Sequence, residues 1–178
     1  MPGLQERLDR LASHDFSLYR PTRYEIQTAG MLLGRGYDVE FLNEAQSRSP
    51  DLLAKCKEGE CEIECKHKEP GEESLDVVKS IYNSTQIARK QFSKQRVGLI
   101  VIDIDQPNFD QFELERARLE QEIKRAMRNS SSISGIFVTS KLATEDKDDF
   151  IYRHRVIGYA SDQARHPIPG WLATNIVN

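Results

Sequence analysis

Two short predicted strands, separated by a turn-forming stretch, constrain the fold of this chain most strongly. The second segment reads EIECK from Glu62 to Lys66. In a β-strand successive side chains point to opposite faces, so Glu62, Glu64 and Lys66 share one face while Ile63 and Cys65 lie on the other. The apolar face is suited to a core. Three charged side chains in a row on the other face are hard to explain by folding alone, because neighbouring carboxylates repel each other.

The first segment begins at Pro50-Asp51, and the residues from Lys57 to Glu60 predict a hairpin turn between the two segments. An antiparallel hairpin would bring Asp51 opposite Glu64, although the two are well separated in sequence. Lys66 offsets part of their negative charge, and a bound metal ion would offset more.

Hydrophobic periodicity and breaker residues around this hairpin predict alternating helices and strands. The predicted order is a short amphipathic helix on Leu4, Leu8 and Leu11, a connector from Ser13 to Arg20 ended by Pro21, a helix from Thr22 to Leu33, strands Tyr37 to Leu42, Asp51 to Lys55 and Glu60 to Lys66, a helix from Leu75 to Phe92, a buried strand from Val97 to Ile104, a helix from Phe112 to Arg128, a strand from Ile133 to Thr139, an acidic loop from Thr144 to Asp149, a strand from Tyr152 to Tyr159 and a compact tail from Pro167 to Trp171.

This order of elements, with Pro50-Asp51 followed by Glu64-Cys65-Lys66, resembles the PD-(D/E)xK nuclease superfamily of restriction endonucleases and Holliday-junction resolvases. The resemblance covers Thr22 to Ile104. It implies an α/β fold with a restriction endonuclease-like αβββαβ core, in which a mixed central sheet is flanked by helices. Residues 105–178 would add a C-terminal helix and two strands to the same single domain.

The resemblance also implies a function, which is hydrolysis of phosphodiester bonds in nucleic acid, with DNA as the expected substrate. Asp51, Glu64 and Lys66 would be the catalytic residues, and Lys66 would orient or activate the attacking water and offset phosphate charge. Asp51, Glu64 and the main-chain carbonyl of Cys65 would bind the metal, and Glu25 would hold a second metal or a metal-bound water. Oxygen ligands favour a hard cation, so the expected cofactor is Mg²⁺ or Mn²⁺.

Three further residues are predicted as substrate contacts or site support, each beside a simpler interpretation. Gln86 lies on a helix that carries an active-site residue in many relatives, yet Gln86 and Lys90 also fit a solvated helix face, which is the favoured interpretation. Glu62 is an extra acidic residue for the motif, and a twisted hairpin would turn it to solvent.

Glu25 has its own alternative. Thr22-Arg23-Tyr24-Glu25 matches a capping box, in which the glutamate reaches back to the cap residue and needs no catalytic role. The sequence does not decide between metal binding and helix capping for Glu25.

Composition sets limits on partners. The chain has 178 residues, 25 basic and 28 acidic side chains and a net charge of −3, so nucleic-acid binding would require a local basic patch. No segment is apolar enough for a membrane span, no signal peptide is recognisable, and the three cysteines do not suggest a disulfide framework or zinc knuckles. We therefore expect a soluble cytoplasmic protein with no membrane partner. The family resemblance adds a homodimer as an option, because two-strand cutting by this fold often uses one.

Two other classes of protein fit the same residues. One is a catalytically inactive nuclease-fold protein that binds nucleic acid or supports an assembly. The other is an unrelated α/β protein in which Asp51, Glu64 and Lys66 form only a surface ion pair. Fold alone does not decide between them, because function depends on the site.

Overall fold

The structure is a computed structural model that describes residues 1–13, 15–42, 49–68, 77–104, 109–128, 130–146, 149–170 and 172. Within these residues the chain forms four helices and six strands. In chain order they are α1 (Leu4–Ala12), α2 (Phe16–Gly34), β1 (Asp38–Phe41), β2 (Leu52–Cys56), β3 (Gly59–Lys68), α3 (Val77–Ala88), β4 (Val97–Ile104), α4 (Phe109–Arg128), β5 (Gly135–Asp146) and β6 (Asp149–Ala160).

The six strands form one mixed sheet whose spatial order is the chain order. Strands β1, β2 and β3 pair antiparallel as a meander, β3, β4 and β5 pair parallel, and β6 returns antiparallel to β5. The parallel pairs need crossovers, which α3 and α4 supply. The predicted αβββαβ order with a mixed sheet, a further helix and two strands is thus confirmed.

Each face of the sheet has its own apolar core. Helix α2 covers one face, where Leu99 and Val101 of β4 are buried together with residues of α2 and of β1 to β3. Helices α3 and α4 cover the other face, where Ile100 and Ile102 are buried. Because both faces are covered, β4 is apolar at every position from Leu99 to Ile102, as expected for a central parallel strand.

Helix α2 begins earlier than the sequence predicts. Its N-cap is Asp15, whose carboxylate accepts a hydrogen bond from the backbone N–H of Ser17 at 3.0 Å. The predicted connector from Ser13 to Arg20 and the stop at Pro21 are therefore wrong. Pro21 lies inside the helix, where its ring removes one main-chain hydrogen bond without ending the helix.

Helix α1 packs on α2, and of the predicted leucine stripe Leu4 packs against the core. Leu8 is 43% exposed, whereas the neighbouring Arg7 is completely buried. The guanidinium of Arg7 lies 5.3 Å from the centroid of the Phe41 ring and donates to the carbonyl oxygen of Leu42 at 3.1 Å. A buried cation therefore positions this helix.

The hairpin of β5 and β6 is longer than predicted. Pairing continues to Asp146 opposite Asp149, so the expected acidic loop from Thr144 to Asp149 is mostly strand. Residues 147 and 148 lie outside the described residues, as do the loop 43–48, the predicted helix start at Leu75 and the tail residue Trp171. Among the helices described, none is both long and apolar enough to cross a membrane.

Candidate active site

The β2–β3 hairpin places the two predicted catalytic carboxylates side by side. Its register pairs Leu52 with Ile63, and one further step puts Asp51 level with Glu64. Asp51 Oδ2 accepts a hydrogen bond of 2.6 Å from the backbone N–H of Cys65. The main chain of β3 thereby fixes the orientation of the Asp51 carboxylate.

A cavity of about 450 Å³ opens beside this hairpin. Helix α2, strand β3, the residues just before β2 and the segment that follows α3 all contribute to its wall. Its lining includes all the predicted catalytic and metal-binding residues, which are Glu25, Asp51, Glu64, Cys65 and Lys66. His67 and Gln91 also line it and were not predicted.

Glu64 is fully buried yet incompletely partnered. Its Oε1 pairs with the ammonium of Lys66, while its Oε2 makes no hydrogen bond to any described residue. Burial raises the pKa of Glu64, and the charge of Lys66 and the nearby Gln91 amide only partly oppose that shift. A buried carboxylate oxygen without a partner is costly, so it marks a position where a cation or donor from a ligand would be favourable.

Lys66 carries the matching positive charge. Burial works to lower the pKa of Lys66, but the Glu64 carboxylate outweighs it, and the pKa is raised. An ammonium with a raised pKa stays charged at neutral pH. That charge is compatible with the role of offsetting phosphate charge that the family resemblance implies for Lys66.

Glu25 lies on the cavity wall but is not a helix cap. It sits in the interior of α2, Thr22 is buried instead of capping, and Asp15 is the cap residue, so the capping-box interpretation is wrong. Glu25 Oε2 instead accepts a hydrogen bond of 3.0 Å from Arg7 Nε. Because Arg7 already neutralises this carboxylate, binding of a metal by Glu25 remains a prediction without further support.

A hydrogen-bonded row crosses the sheet next to the cavity. His67 and Asp103 are register partners in β3 and β4, and His67 Nδ1 lies 3.2 Å from Asp103 Oδ2. Thr139 of β5 donates to Asp103 Oδ1 at 3.2 Å, and its Oγ1 lies 2.9 Å from the hydroxyl of Tyr24 in α2. Burial tends to raise the pKa of Asp103, but the hydrogen bond with His67 and the charge of Lys141 hold it below its usual value.

The glutamine nearest the site is Gln91 and not Gln86. Gln86 is half-buried in α3 and belongs to neither this cavity nor a second, larger one, whereas exposed Lys90 lines the larger cavity. Gln91 lies after the end of α3, so the periodicity of that helix cannot predict which way the Gln91 side chain points. Its position after the helix and before a buried strand is the only signal that sequence offers.

Glu62 is buried, so the prediction that it faces solvent is wrong. Its side chain is 4% exposed, with Oε2 accepting a 2.6 Å hydrogen bond from the backbone N–H of Ser93 and Oε1 accepting one of 3.0 Å from Arg96. The segment between α3 and β4 covers Glu62 through Ser93 and Arg96, and that covering could not be read from the hairpin alone. Glu62 anchors the segment that links α3 to β4.

The donor set at the cavity suits a hard divalent cation. Asp51 and Glu64 offer carboxylate oxygens, and the unpartnered Glu64 Oε2 is a vacant acceptor of the kind Mg²⁺ prefers. No group of three or more His, Cys, Asp or Glu side chains with metal-site geometry occurs among the described residues, so two carboxylates and main-chain or water oxygens would complete the shell. Burial raises the pKa of the Cys61 and Cys65 thiols well above the usual value, which disfavours a thiolate metal site.

Comparisons with known proteins do not extend this picture. No protein-family model and no curated protein sequence matches the chain. Among solved structures, the Ca²⁺ complex of SfsA from Pyrococcus furiosus is similar over 74% of this chain and 60% of its own, with 19% sequence identity and a TM-score of 0.31. The chain therefore spans less than two thirds of SfsA, and a likeness at this TM-score establishes no shared function. Membership of the PD-(D/E)xK superfamily stays a prediction from sequence.

Proposed function

We propose that this protein is a nuclease that hydrolyses phosphodiester bonds in nucleic acid, with DNA as the expected substrate and Mg²⁺ or Mn²⁺ as cofactor. The observation that carries the proposal is the incompletely satisfied Glu64 carboxylate, buried beside Lys66 and level with Asp51 in one cavity. A purely structural ion pair has no need of a buried oxygen without a partner.

In this proposal the acidic side chains bind the cation and the basic side chain faces the phosphate. The Asp51 carboxylate, oriented by the Cys65 N–H, and Glu64 Oε2 would hold the cation. When bound, that cation would supply positive charge at the scissile phosphate and make a water molecule more acidic. Lys66, whose pKa the Glu64 carboxylate raises, would add a second positive charge toward the phosphate oxygens, where negative charge develops during hydrolysis.

Burial around the site strengthens these interactions. Glu64 is fully buried and Lys66 is only 28% exposed, so water screens their charges less than it would at an open surface. Burial raises the pKa of Glu64, the Lys66 ammonium and the Gln91 amide oppose that shift, and a bound cation would favour the ionised form further. Glu64 and Lys66 would therefore lie paired in the cavity before the cation and substrate bind.

The test is a cleavage assay with purified protein and Mg²⁺, Mn²⁺ or Ca²⁺ on single-stranded, duplex and branched DNA and on RNA. We expect cleavage with Mg²⁺ or Mn²⁺, and a loss of about 10²- to 10³-fold in rate for Asp51→Asn, Glu64→Gln or Lys66→Met, the range for removing one electrostatic stabiliser. Thermal melting of each variant checks that the fold survives.

The matched control is Glu40→Gln, which removes a carboxylate of a neighbouring strand that pairs with Lys55 at the surface. It should cleave as the wild type does. If the wild type cuts none of these substrates with any of the three ions, the nuclease proposal is wrong.

A further inference from the structure

A second and larger cavity, of about 770 Å³, adjoins the candidate active site. The segment after α3, the turn at residues 130–132 and Arg165 form most of its wall. Ser49 and Gln91 line both cavities, so the larger one leads directly toward Asp51 and Glu64. We call the larger cavity the basic groove, for the charge of its lining.

The lining of the basic groove is strongly cationic in a chain that is acidic overall. It contains five basic residues, Arg89, Lys90, Lys94, Arg96 and Arg165, and one acidic residue, Glu62. Glu62 is already engaged by Arg96, which also pairs with Glu60. The charges of the other four basic residues are therefore not neutralised by a carboxylate of the lining.

Specific hydrogen bonds hold the walls of the basic groove in position. Glu62 holds the Ser93 N–H and Arg96 and so fixes the segment that carries Lys94. The Arg165 N–H donates to the Ser131 carbonyl at 2.8 Å, which joins the other two walls.

Gly98 of β4 lets the turn approach the sheet. A Cβ atom there would lie 2.4 Å from the Ser132 carbonyl oxygen, so a larger residue would push the wall of the groove outward. The basic side chains of the groove repel one another, and a bound polyanion would relieve that repulsion.

We propose that the basic groove binds the phosphate backbone of a nucleic-acid strand and leads that strand into the cavity of Asp51, Glu64 and Lys66. This inference rests on the proposed function, because it assigns the substrate path for the same site. Lys90, Lys94 and Arg165 are exposed and bind phosphates, while half-buried Arg89 adds positive charge behind them. Backbone contacts of this kind position a strand without reading its sequence.

The experiment measures binding separately from cleavage. Binding of fluorescein-labelled single-stranded and duplex oligonucleotides is followed by anisotropy in EDTA over a series of salt concentrations. The test variant is Lys90→Gln/Lys94→Gln/Arg165→Gln, and the double variant without Arg165→Gln tests the groove if the triple variant is unstable. The matched control is Lys55→Gln/Arg118→Gln/Lys124→Gln, which makes the same change in charge outside both cavities.

For single-stranded DNA, each lost phosphate contact should reduce the slope of log affinity against log salt by about 0.7, and the triple variant by about 2. The control should keep most of the wild-type slope. In cleavage assays the triple variant should raise KM and leave kcat nearly unchanged, as expected when uniform binding is removed.

Failures of the two proposals are distinguishable. A wild type that cuts DNA, with a triple variant that binds with the wild-type slope, overturns the groove and leaves the nuclease intact. A wild type that binds DNA through the groove but never cuts it supports the groove and overturns the nuclease. If a mononucleotide competes as well as an oligonucleotide, the groove takes a small phosphate ligand and the strand path is wrong.

Discussion

Glu62 and Glu64 lie two residues apart on the same face of β3, and both are buried, yet their surroundings differ. Both oxygens of Glu62 accept hydrogen bonds, from Ser93 and Arg96. Glu64 shares one oxygen with Lys66, and its other oxygen has no partner among the described residues. Since a buried acceptor left without a donor costs free energy, Glu62 contributes more to the stability of the fold than Glu64 does.

Under the proposed function, this difference distinguishes Glu62, which stabilises the fold, from Glu64, which would bind the cation. Residues kept for function commonly lower stability, because they are arranged for a ligand or a transition state and not for the free protein. Burial alone does not reveal the distinction, and neither does charge. The two glutamates differ in the number of carboxylate oxygens that accept a hydrogen bond.

The largest expected effect concerns a third buried glutamate, Glu25, which resembles Glu62 in having a cationic partner. Arg7→Met leaves this carboxylate buried without its guanidinium, and we expect the free energy of unfolding to fall by about 3–5 kcal/mol. Urea denaturation measures the change. The double variant Arg7→Met/Glu25→Leu should regain most of it, because an apolar pair needs no charge partner. An unchanged stability in Arg7→Met would mean that Glu25 is not held by this pair.

The second prediction concerns Glu64 itself. Glu64→Gln should reduce the cleavage rate by about 10²- to 10³-fold, equivalent to about 2.7–4 kcal/mol in the barrier, while the melting temperature stays the same or rises. Calorimetry and cleavage assays on one preparation give both values. A variant that loses stability along with activity would place Glu64 with the structural carboxylates.

The third prediction is the reverse result for Glu62. Glu62→Gln replaces one acceptor oxygen with a donor, so a hydrogen bond to Ser93 or Arg96 is lost, at a cost of about 1.5–3 kcal/mol in unfolding free energy. The turnover number of the folded fraction should stay near that of the wild type. A loss of turnover with stability intact would show that Glu62 takes part in the reaction.

The smallest expected effect is a change in acid sensitivity through Asp103, a fourth buried carboxylate with partners on both oxygens. Its pKa is lower in the folded chain than in the unfolded one, so its contribution is complete above the unfolded value of about 4 and is lost as pH falls through the folded value. Asp103→Asn should lower stability by about 1 kcal/mol at neutral pH. Below pH 4 the gap between variant and wild type should narrow, which denaturation at several pH values will measure.

Local sequence patterns predict β1 to β4 and the β2–β3 hairpin well, because these elements depend on neighbouring residues. The alternation from Glu62 to Lys66 and the turn at Lys57 to Glu60 were sufficient to place Asp51 level with Glu64. The buried strand at Val97 to Ile104 is apolar on both faces and was predicted with its observed bounds.

Long-range partners could not be predicted from those patterns. Arg7 pairs with Glu25, eighteen residues away, and Glu62 pairs with Arg96, thirty-four residues away. The residues around each position do not predict its partner. The start of α2 was missed because Pro21 was taken as a stop, although the Asp15 cap and the packing of the helix on the sheet outweigh one lost hydrogen bond.

The row formed by Tyr24, Thr139, Asp103 and His67 has a consequence for motion. It joins one helix to three adjacent strands at the same level of the sheet, directly beside the cavity. Separating α2 from the sheet requires breaking this row together with the core beneath it, so local opening is expected to begin elsewhere. Amide protons of β3 and β4 near His67 and Asp103 should consequently exchange with solvent only when the whole molecule unfolds.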